Sequence, residues 1–165
     1  RVVDDLAVST DIIVGFPGET EADFEQTLEV AAEAEYDYAY TFLFSPRTGT
    51  EAATMEADFV DASVAGERFQ RLRLVVERAA LRRHEARVGR IEEVLVEGPS
   101  KRDPSVLSGR TRQNKLVHFT PPRPLRTGSY ATVEITRGAP HFLEGQFVDF
   151  ISEPTHRLRI PVAAL

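Results

Sequence analysis

The stretch that decides the fold class is Asp11-Ile12-Ile13-Val14-Gly15-Phe16-Pro17-Gly18-Glu19-Thr20. The apolar and β-branched run 6–14 ends here in glycine and proline, which predicts a strand that stops sharply. Thr20 and Asp23 resemble a capping box, so a helix should begin just after Thr20. The aromatic-rich run 38–44 predicts a second strand. A strand, a helix and a strand in this order form a βαβ unit, whose two strands are parallel.

A second, longer helix is predicted after this unit. Asp61 or Ser63 can cap its start, and it should extend to about Ala86. Its polar positions are expected to include five arginines: Arg68, Arg71, Arg73, Arg78 and Arg82. Parallel sheets are normally covered on both faces, which two strands and one connecting helix cannot achieve. Residues 1–86 are therefore expected to be the end of a larger α/β barrel, in a chain truncated at its N-terminus.

After Gly89 the pattern changes to short strands separated by glycine, proline and asparagine. Five strands are predicted, at 91–96, 107–112, 115–119, 130–136 and 142–150. Gln113-Asn114 predicts a tight hairpin turn between two of them. Several short strands in one small domain are typical of a closed barrel of the OB or a related type. The predicted fold class is an α/β fragment, 1–86, followed by a small all-β five-stranded barrel, 87–150, and a tail, 151–165.

The net charge of −6 is divided unevenly between the two halves. Residues 1–85 carry 8 Arg and 18 Asp or Glu, a net −10, and residues 86–165 carry 12 Lys or Arg and 8 Asp or Glu, a net +4. Such asymmetry suggests that the basic half meets a polyanion. A basic stretch can equally be a solvated surface, and composition alone does not separate the two interpretations.

The composition excludes cysteine-based sites and gives no support for a histidine-based metal site. The chain has no cysteine, which excludes disulfides and thiolate-held zinc or iron–sulfur sites within it. Its four histidines show no ligand spacing, so no metal site is predicted. The sequence contains no run of 18 apolar residues, so no membrane span is predicted. The absence of cysteine favours a location in the reducing cytoplasm.

Two segments carry candidate binding residues. In the turn Gly15–Gly18, glycine would let a ligand lie against the backbone, although a plain capped βα turn would look the same. Arg47 follows the second strand and could form a fork with a carboxylate or phosphate, or a salt bridge to a neighbouring acid. In the basic half, phosphate contacts are predicted for Lys101, Arg102, Arg110, Arg112 and Lys115, and base contacts for Asn114 and His118. Phe119 could stack on a base but is more simply explained as barrel core.

Three motifs together resemble the MiaB-type tRNA methylthiotransferases. They are the stretch 11–20, the run Ser45-Pro46-Arg47-Thr48-Gly49-Thr50, and residues 97–119. Members of this family are radical-SAM enzymes with an N-terminal cluster domain, a central barrel and a C-terminal TRAM domain. The resemblance implies that Gly15, Phe16, Pro17, Gly18 and Glu19 lie beside S-adenosylmethionine, and that Arg47 lies at the rim of the barrel. It gives no residue of this chain a catalytic role.

The resemblance also implies an activity, cofactors and a partner for the full-length protein. The activity is methylthiolation at C2 of an isopentenylated adenosine beside the tRNA anticodon. The cofactors are S-adenosylmethionine and two [4Fe-4S] clusters, and the partner is the anticodon stem-loop of tRNA. Cysteines hold both clusters in the family and none is present here, so the isolated chain is predicted to be inactive.

Two other functions remain possible from the sequence, and self-association is predicted in addition. A RimO-type enzyme acting on a ribosomal protein shares the turn motif, and a stand-alone RNA-binding module would share the basic barrel. The βαβ start argues against the free module, because such a module has no need of half a barrel. The truncated barrel is also expected to leave a strand edge unpaired, which favours self-association.

Overall fold

The computed structural model describes residues 3–154. It divides into two compact units, residues 1–86 and residues 87–165. Within the described part, neither helix is both long enough and apolar enough to cross a membrane.

The first unit is a βαβ unit followed by a long helix, as predicted. Strand β1 (Ser9–Val14) leads to helix α1 (Glu21–Ala34) and strand β2 (Tyr38–Leu43), and after two short 3-10 turns helix α2 follows (Ala62–Glu85). Strands β1 and β2 pair in parallel, with Ser9 opposite Tyr38 and Val14 opposite Leu43. The first strand begins three residues later than the predicted run 6–14, because only residues from Ser9 onward have a partner on β2.

Side-chain caps fix where both helices begin. Thr20 Oγ1 accepts a hydrogen bond from the Asp23 N–H at 3.2 Å, and Asp23 Oδ2 accepts one from the Thr20 N–H at 2.9 Å. This reciprocal pair is the predicted capping box. Hydrogen bonds from the Thr20 hydroxyl and N–H hold the pKa of Asp23 below its usual value, so the cap stays charged at neutral pH. Asp61, not Ser63, caps α2, by accepting from the Ser63 N–H at 2.8 Å.

The two helices of this unit cover one face of its sheet. Val14 on β1, Phe24 on α1 and Leu72 on α2 are fully buried together. The opposite sheet face carries Ile13 and Phe42, each about half exposed. A two-stranded sheet with helices on one side has to leave its other side open, as the sequence pattern predicts.

The second unit is a closed five-stranded barrel. Its strands are β3 (Ile91–Pro99), β4 (Leu107–Thr111), β5 (Leu116–Thr120), β6 (Tyr130–Gly138) and β7 (Leu143–Ser152). They follow one another around the barrel in the order β3-β4-β5-β7-β6, and the sheet closes through β6 on β3. All neighbours are antiparallel except β5 and β7, which pair in parallel. The predicted small OB-like barrel is confirmed.

The hairpin between β4 and β5 is built as the sequence predicts. The Asn114 N–H bonds the Thr111 carbonyl at 2.9 Å, and Asn114 has a φ of 58°, in the left-handed region that asparagine tolerates. The Thr111 N–H then bonds the Lys115 carbonyl at 3.0 Å, which leaves a three-residue loop. This loop sets the register in which Ser108 lies opposite His118.

Barrel closure needs two glycines where strands approach closely. A Cβ on Gly109 of β4 would lie 2.5 Å from Val94 Cγ1 and 2.6 Å from the Leu95 carbonyl oxygen. A Cβ on Gly145 of β7 would meet the Val133 side chain and lie 2.6 Å from the Glu134 carbonyl oxygen. Both obstacles include backbone, which cannot move aside without opening the barrel.

We therefore expect Gly109→Ala to destabilise the barrel by about 1–3 kcal/mol, the usual cost of forcing an extra methyl group into a packed core. Urea unfolding measures the change in the free energy of unfolding, and amide hydrogen exchange shows whether the loss of protection lies in β3 and β4. Gly66→Ala is the matched control, because Gly66 is a helical glycine with open space around it. It should stabilise α2 by up to about 1 kcal/mol. Undiminished protection of β3 and β4 in Gly109→Ala would contradict the steric argument.

Candidate functional site

A groove with a volume of about 1480 Å³ lies on the outer face of β4 and β5. The outward-facing side chains of these strands, among them Ser108, Arg110 and His118, form its floor. Val117 and Phe119 belong to the core cluster, and Phe119 also borders the groove. Residues of the β3–β4 loop and of the segment before β7 border it. The second and third strands of an OB barrel and its loops are where such folds bind oligonucleotides.

Two cations of the β3–β4 loop border the groove without an ion pair. Lys101 and Arg102 are exposed, and neither forms a salt bridge with any residue in 3–154. Arg110 on the groove floor is already engaged: its Nε lies 3.4 Å from Glu97 Oε2, and its Nη1 donates to the Asn114 carbonyl at 3.1 Å. The available positive charge of the groove is thus concentrated at Lys101 and Arg102.

Carboxylates also line this groove, so its lining is not uniformly basic. Ser105 donates to Asp103 Oδ1 from its hydroxyl at 2.6 Å and from its N–H at 2.9 Å. These bonds hold the pKa of Asp103 below its ordinary value, which keeps it negative at neutral pH. Glu144 pairs with Arg137 at 2.6 Å. A bound polyanion would therefore meet positive charge at Lys101 and Arg102 and negative charge at Asp103 in the same loop.

The hairpin residues predicted to contact RNA do not line the groove. Arg112 is exposed and pairs with Glu93 at 3.0 Å, outside the groove lining. Asn114 serves the turn through its backbone conformation. The phosphate contact predicted for Lys115 stays a prediction, and only 5% of this residue is exposed. Lys115 precedes Val117 and Phe119 by two and four residues, which puts it on the inward side of β5.

Several residues that the sequence patterns did not indicate as contacts line the groove, and Phe142 is one of them. Phe142 lies just before β7 and packs edge-to-face against His118, with 5.3 Å between ring centroids and 65° between ring planes. His118 Nδ1 and Ser108 Oγ are hydrogen-bonded at 3.1 Å across the β4–β5 pair. The sequence signal was an aromatic residue at the start of a strand, which is more simply explained as core.

In the first unit, the turn after β1 is stabilised from within the unit. The Gly18 N–H donates to the Asp58 carbonyl at 2.8 Å, and the Glu19 N–H to the Phe16 carbonyl at 2.9 Å. A Cβ on Gly15 would lie 2.8 Å from the Ala65 Cβ, so the missing side chain lets helix α2 approach the turn. Gly18 has open space around its Cα, and the Phe16 ring is about half exposed. Pro17 is buried.

The carboxylate of Glu19 is bound within the first unit, and its predicted place beside the cofactor stays a prediction. Glu19 Oε2 accepts from the Gly15 N–H at 2.8 Å and lies 2.9 Å from Arg68 Nη1. Both side chains are at least 90% buried. Arg68 also donates to the Glu19 carbonyl at 3.0 Å and pairs with Glu21 at 3.0 Å. Arg68, predicted at one of the polar positions of α2, is buried and holds the turn from this helix.

Arg47 lies in the exposed segment after β2. Its carbonyl accepts from the Thr50 hydroxyl at 2.8 Å, which closes a turn, and its guanidinium has no ion pair among residues 3–154. Next to the Gly15 turn, Phe16, Phe44 and Phe59 form a run of edge-to-face contacts with centroids 5.3 Å and 5.6 Å apart. An apolar or planar ligand at this end of the sheet could contact these rings and the backbone of Gly18.

Iron–sulfur clusters do not fit the donor set of this chain. It has no cysteine to provide a thiolate, and residues 3–154 contain no group of three His, Asp or Glu side chains that could hold a metal ion. Any cluster of the full-length protein has to be held by residues outside this chain.

Comparison with known proteins identifies the second unit and the relatives of the whole chain. Residues 85–148 match the family model "TRAM domain". The chain is 50% identical over 149 residues to the tRNA-2-methylthio-N(6)-dimethylallyladenosine synthase of Moorella thermoacetica, which covers 90% of this chain and 33% of that protein. The proteins of the same name from Kineococcus radiotolerans and Burkholderia thailandensis are 49% and 44% identical, with 88% and 92% of this chain covered.

The chain thus spans about a third of the length of these relatives: 33%, 30% and 34%. The resemblance drawn from the motifs is confirmed, and these three relatives are named as tRNA-modifying proteins. Residues 85–148 are a TRAM domain, and the chain is homologous over about nine-tenths of its length to part of the tRNA-2-methylthio-N(6)-dimethylallyladenosine synthases.

Proposed function

We propose that the barrel of this chain binds RNA through its groove, and that the full-length protein methylthiolates an isopentenylated adenosine beside a tRNA anticodon. The observation that carries the proposal is the pair Lys101 and Arg102, two exposed cations that border an OB-type groove within a TRAM domain. The names of the relatives point to tRNA as the substrate. We accordingly expect the protein to act in the cytoplasm, on the anticodon stem-loop.

The groove explains why binding would be led by phosphate contacts. Lys101 and Arg102 form no ion pair with any residue in 3–154, so pairing with a phosphate does not break an existing one. Weaker contacts are proposed for Arg110, which lines the groove, and for Arg112 and Asn114, which lie outside its lining. Both arginines must first leave Glu97 and Glu93. His118 lies on the groove floor, where a base would reach it.

The first unit is proposed to form one wall of the S-adenosylmethionine pocket of the full-length protein. Phe16 and Gly18 fit this role, because one presents an exposed ring and the other an open backbone. Pro17 and Glu19 would shape the turn from inside, and Arg47 would lie near its rim. When bound, S-adenosylmethionine and a reduced cluster supply the radical that insertion of sulfur at an unactivated carbon requires. The share of this chain is to orient the substrate and to exclude water.

The two alternative functions are less well supported. A RimO-type enzyme would act on a ribosomal protein, whereas the relatives from Moorella, Kineococcus and Burkholderia are named for tRNA. A free RNA-binding module would not need the βαβ unit, and the similarity to the relatives spans both units. Binding of the chain to a ribosomal-protein loop, and not to tRNA, would reverse this preference.

The chain by itself should neither bind a cluster nor methylthiolate tRNA, because it has no thiolate to hold iron. Anaerobic reconstitution with iron and sulfide, followed by iron analysis and visible absorption, tests this expectation. Stoichiometric iron uptake, or any methylthio product from the reconstituted chain, would refute it.

If Lys101 and Arg102 bind phosphates, replacing both by alanine should flatten the salt dependence of RNA binding. Each lost phosphate contact lowers the slope of log K against log salt by about 0.7–0.9, so we expect a change of roughly 1–2 for the pair. The slope is measured by fluorescence anisotropy with a labelled anticodon stem-loop at salt concentrations of about 50 to 200 mM, where such effects are large.

The matched control is Arg123→Ala with Arg126→Ala, which removes the same two charges from the same unit. These arginines lie outside the groove, with Arg123 over the Phe150 ring and Arg126 near Glu153. The control should leave the slope nearly unchanged. Equal slopes for the two double variants would mean that net charge and not the groove governs binding, and the proposed interface would be abandoned.

The open face and edges of the β1–β2 sheet should also lead the chain to self-associate. Each strand has a single neighbour among the described residues, and Tyr40 and Phe42 are about half exposed. Unpaired strands tend to recruit another chain, and inserted lysines oppose this pairing. Light scattering should give a mass that rises with concentration, and Tyr40→Lys with Phe42→Lys should restore a monomer. A monomer at all concentrations without the substitutions would exclude this association.

A further inference from the structure

We propose that the ring pair His118 and Phe142 is a stacking site for one unpaired nucleobase, so that the groove selects single-stranded over double-stranded RNA. The inference rests on the proposed binding of RNA to the groove and states which form of RNA it takes. It adds Phe142, which contributes nothing to the barrel core, to the residues that would contact the ligand.

The two rings are presented to the groove by the fold. His118 is on the outward side of β5, since its neighbours Val117 and Phe119 are buried. Its Nδ1 is tied to Ser108 Oγ on the adjacent strand, so the imidazole cannot turn freely. Phe142 is half-buried just before β7 and packs its ring against His118. A stacking platform that is already ordered loses little conformational entropy when a ligand binds.

The geometry of the pair leaves aromatic surface available. In an edge-to-face arrangement one ring directs its edge at one face of the other, so neither ring has both faces covered by its partner. Every nucleobase has a π-face that can stack on such a surface, irrespective of sequence. A paired base within a helix is already stacked on both sides, so an unpaired, turned-out base is the form that can reach the rings.

The charges of the groove favour one strand over two. Lys101 and Arg102 offer free positive charge at the β3–β4 loop, while Glu97, Asp103 and Glu144 also line the groove. A single backbone can place a phosphate at the two cations and leave a base over the rings. A duplex lying in the same groove would bring a second row of phosphates against the carboxylates, at an electrostatic cost.

The test compares the affinity of this chain for two RNAs of equal charge, a hairpin and a blunt duplex. The hairpin has an unpaired loop of about seven nucleotides, which matches the site size of an OB fold. The unsubstituted chain should prefer the hairpin. Phe142→Leu keeps an apolar side chain but removes the π-face, and should weaken hairpin binding by about 5- to 150-fold, the range found for loss of one base stack. Its affinity for the duplex and its salt slope should not change. Phe142→Trp should retain the preference for the hairpin.

Tyr130→Leu is the matched control, because Tyr130 is an exposed aromatic residue of β6 that does not line the groove. It should behave like the unsubstituted chain. Equal affinity for hairpin and duplex, or a Phe142→Leu variant that binds the hairpin normally, overturns the stacking site while RNA binding by the groove stands. Failure of the unsubstituted chain to bind either RNA overturns both. If circular dichroism shows that Phe142→Leu alone is unfolded, two other measurements decide the question. They are the hairpin preference of Phe142→Trp and the quenching of 2-aminopurine placed in the RNA loop.

Discussion

Closure of the five-stranded barrel is the constraint on which the groove depends. Closure requires β5 and β7 to pair in parallel and two strands to approach their neighbours over Gly109 and Gly145. The outer face itself comes from the β4–β5 hairpin, which places Ser108 opposite His118. Closure also brings the segment before β7 next to β5, where Val117 pairs with Leu143. This pairing brings Phe142 next to His118.

The first unit depends on a different interaction, the buried contact of Arg68 with Glu19. Two charges that are both at least 90% buried are tolerated only when they are paired and hydrogen-bonded, and here the Gly15 N–H and the Glu19 carbonyl complete the set. Removing one partner of such a pair typically costs about 3–5 kcal/mol, because the other charge is left buried alone. The motif glutamate thereby fixes the shape of the turn, and the surface of the turn is left to Phe16 and Gly18.

Local patterns in the sequence were sufficient for the elements and insufficient for some individual side chains. The capping box at Thr20 and the hairpin at Asn114 could be foreseen because each depends on a few neighbouring residues. Arg68 and Lys115 were assigned to the surface by residue type, yet each lies in phase with buried neighbours, Arg68 four residues before Leu72 and Lys115 two before Val117. The aromatic pair of the groove could not be foreseen, because a parallel strand pairing between distant segments creates it.

The alternation along β4 and β5 has an evolutionary consequence. Inward positions such as Val117 and Phe119 determine whether the barrel folds, while outward positions such as Ser108 and His118 determine what the groove can touch. Because Ser108 and His118 are not part of the core cluster, selection can alter ligand preference by exchanging outward and loop residues with little loss of stability. A lineage could in this way retarget the same barrel from one nucleic acid to another, or to a peptide, through a few surface changes.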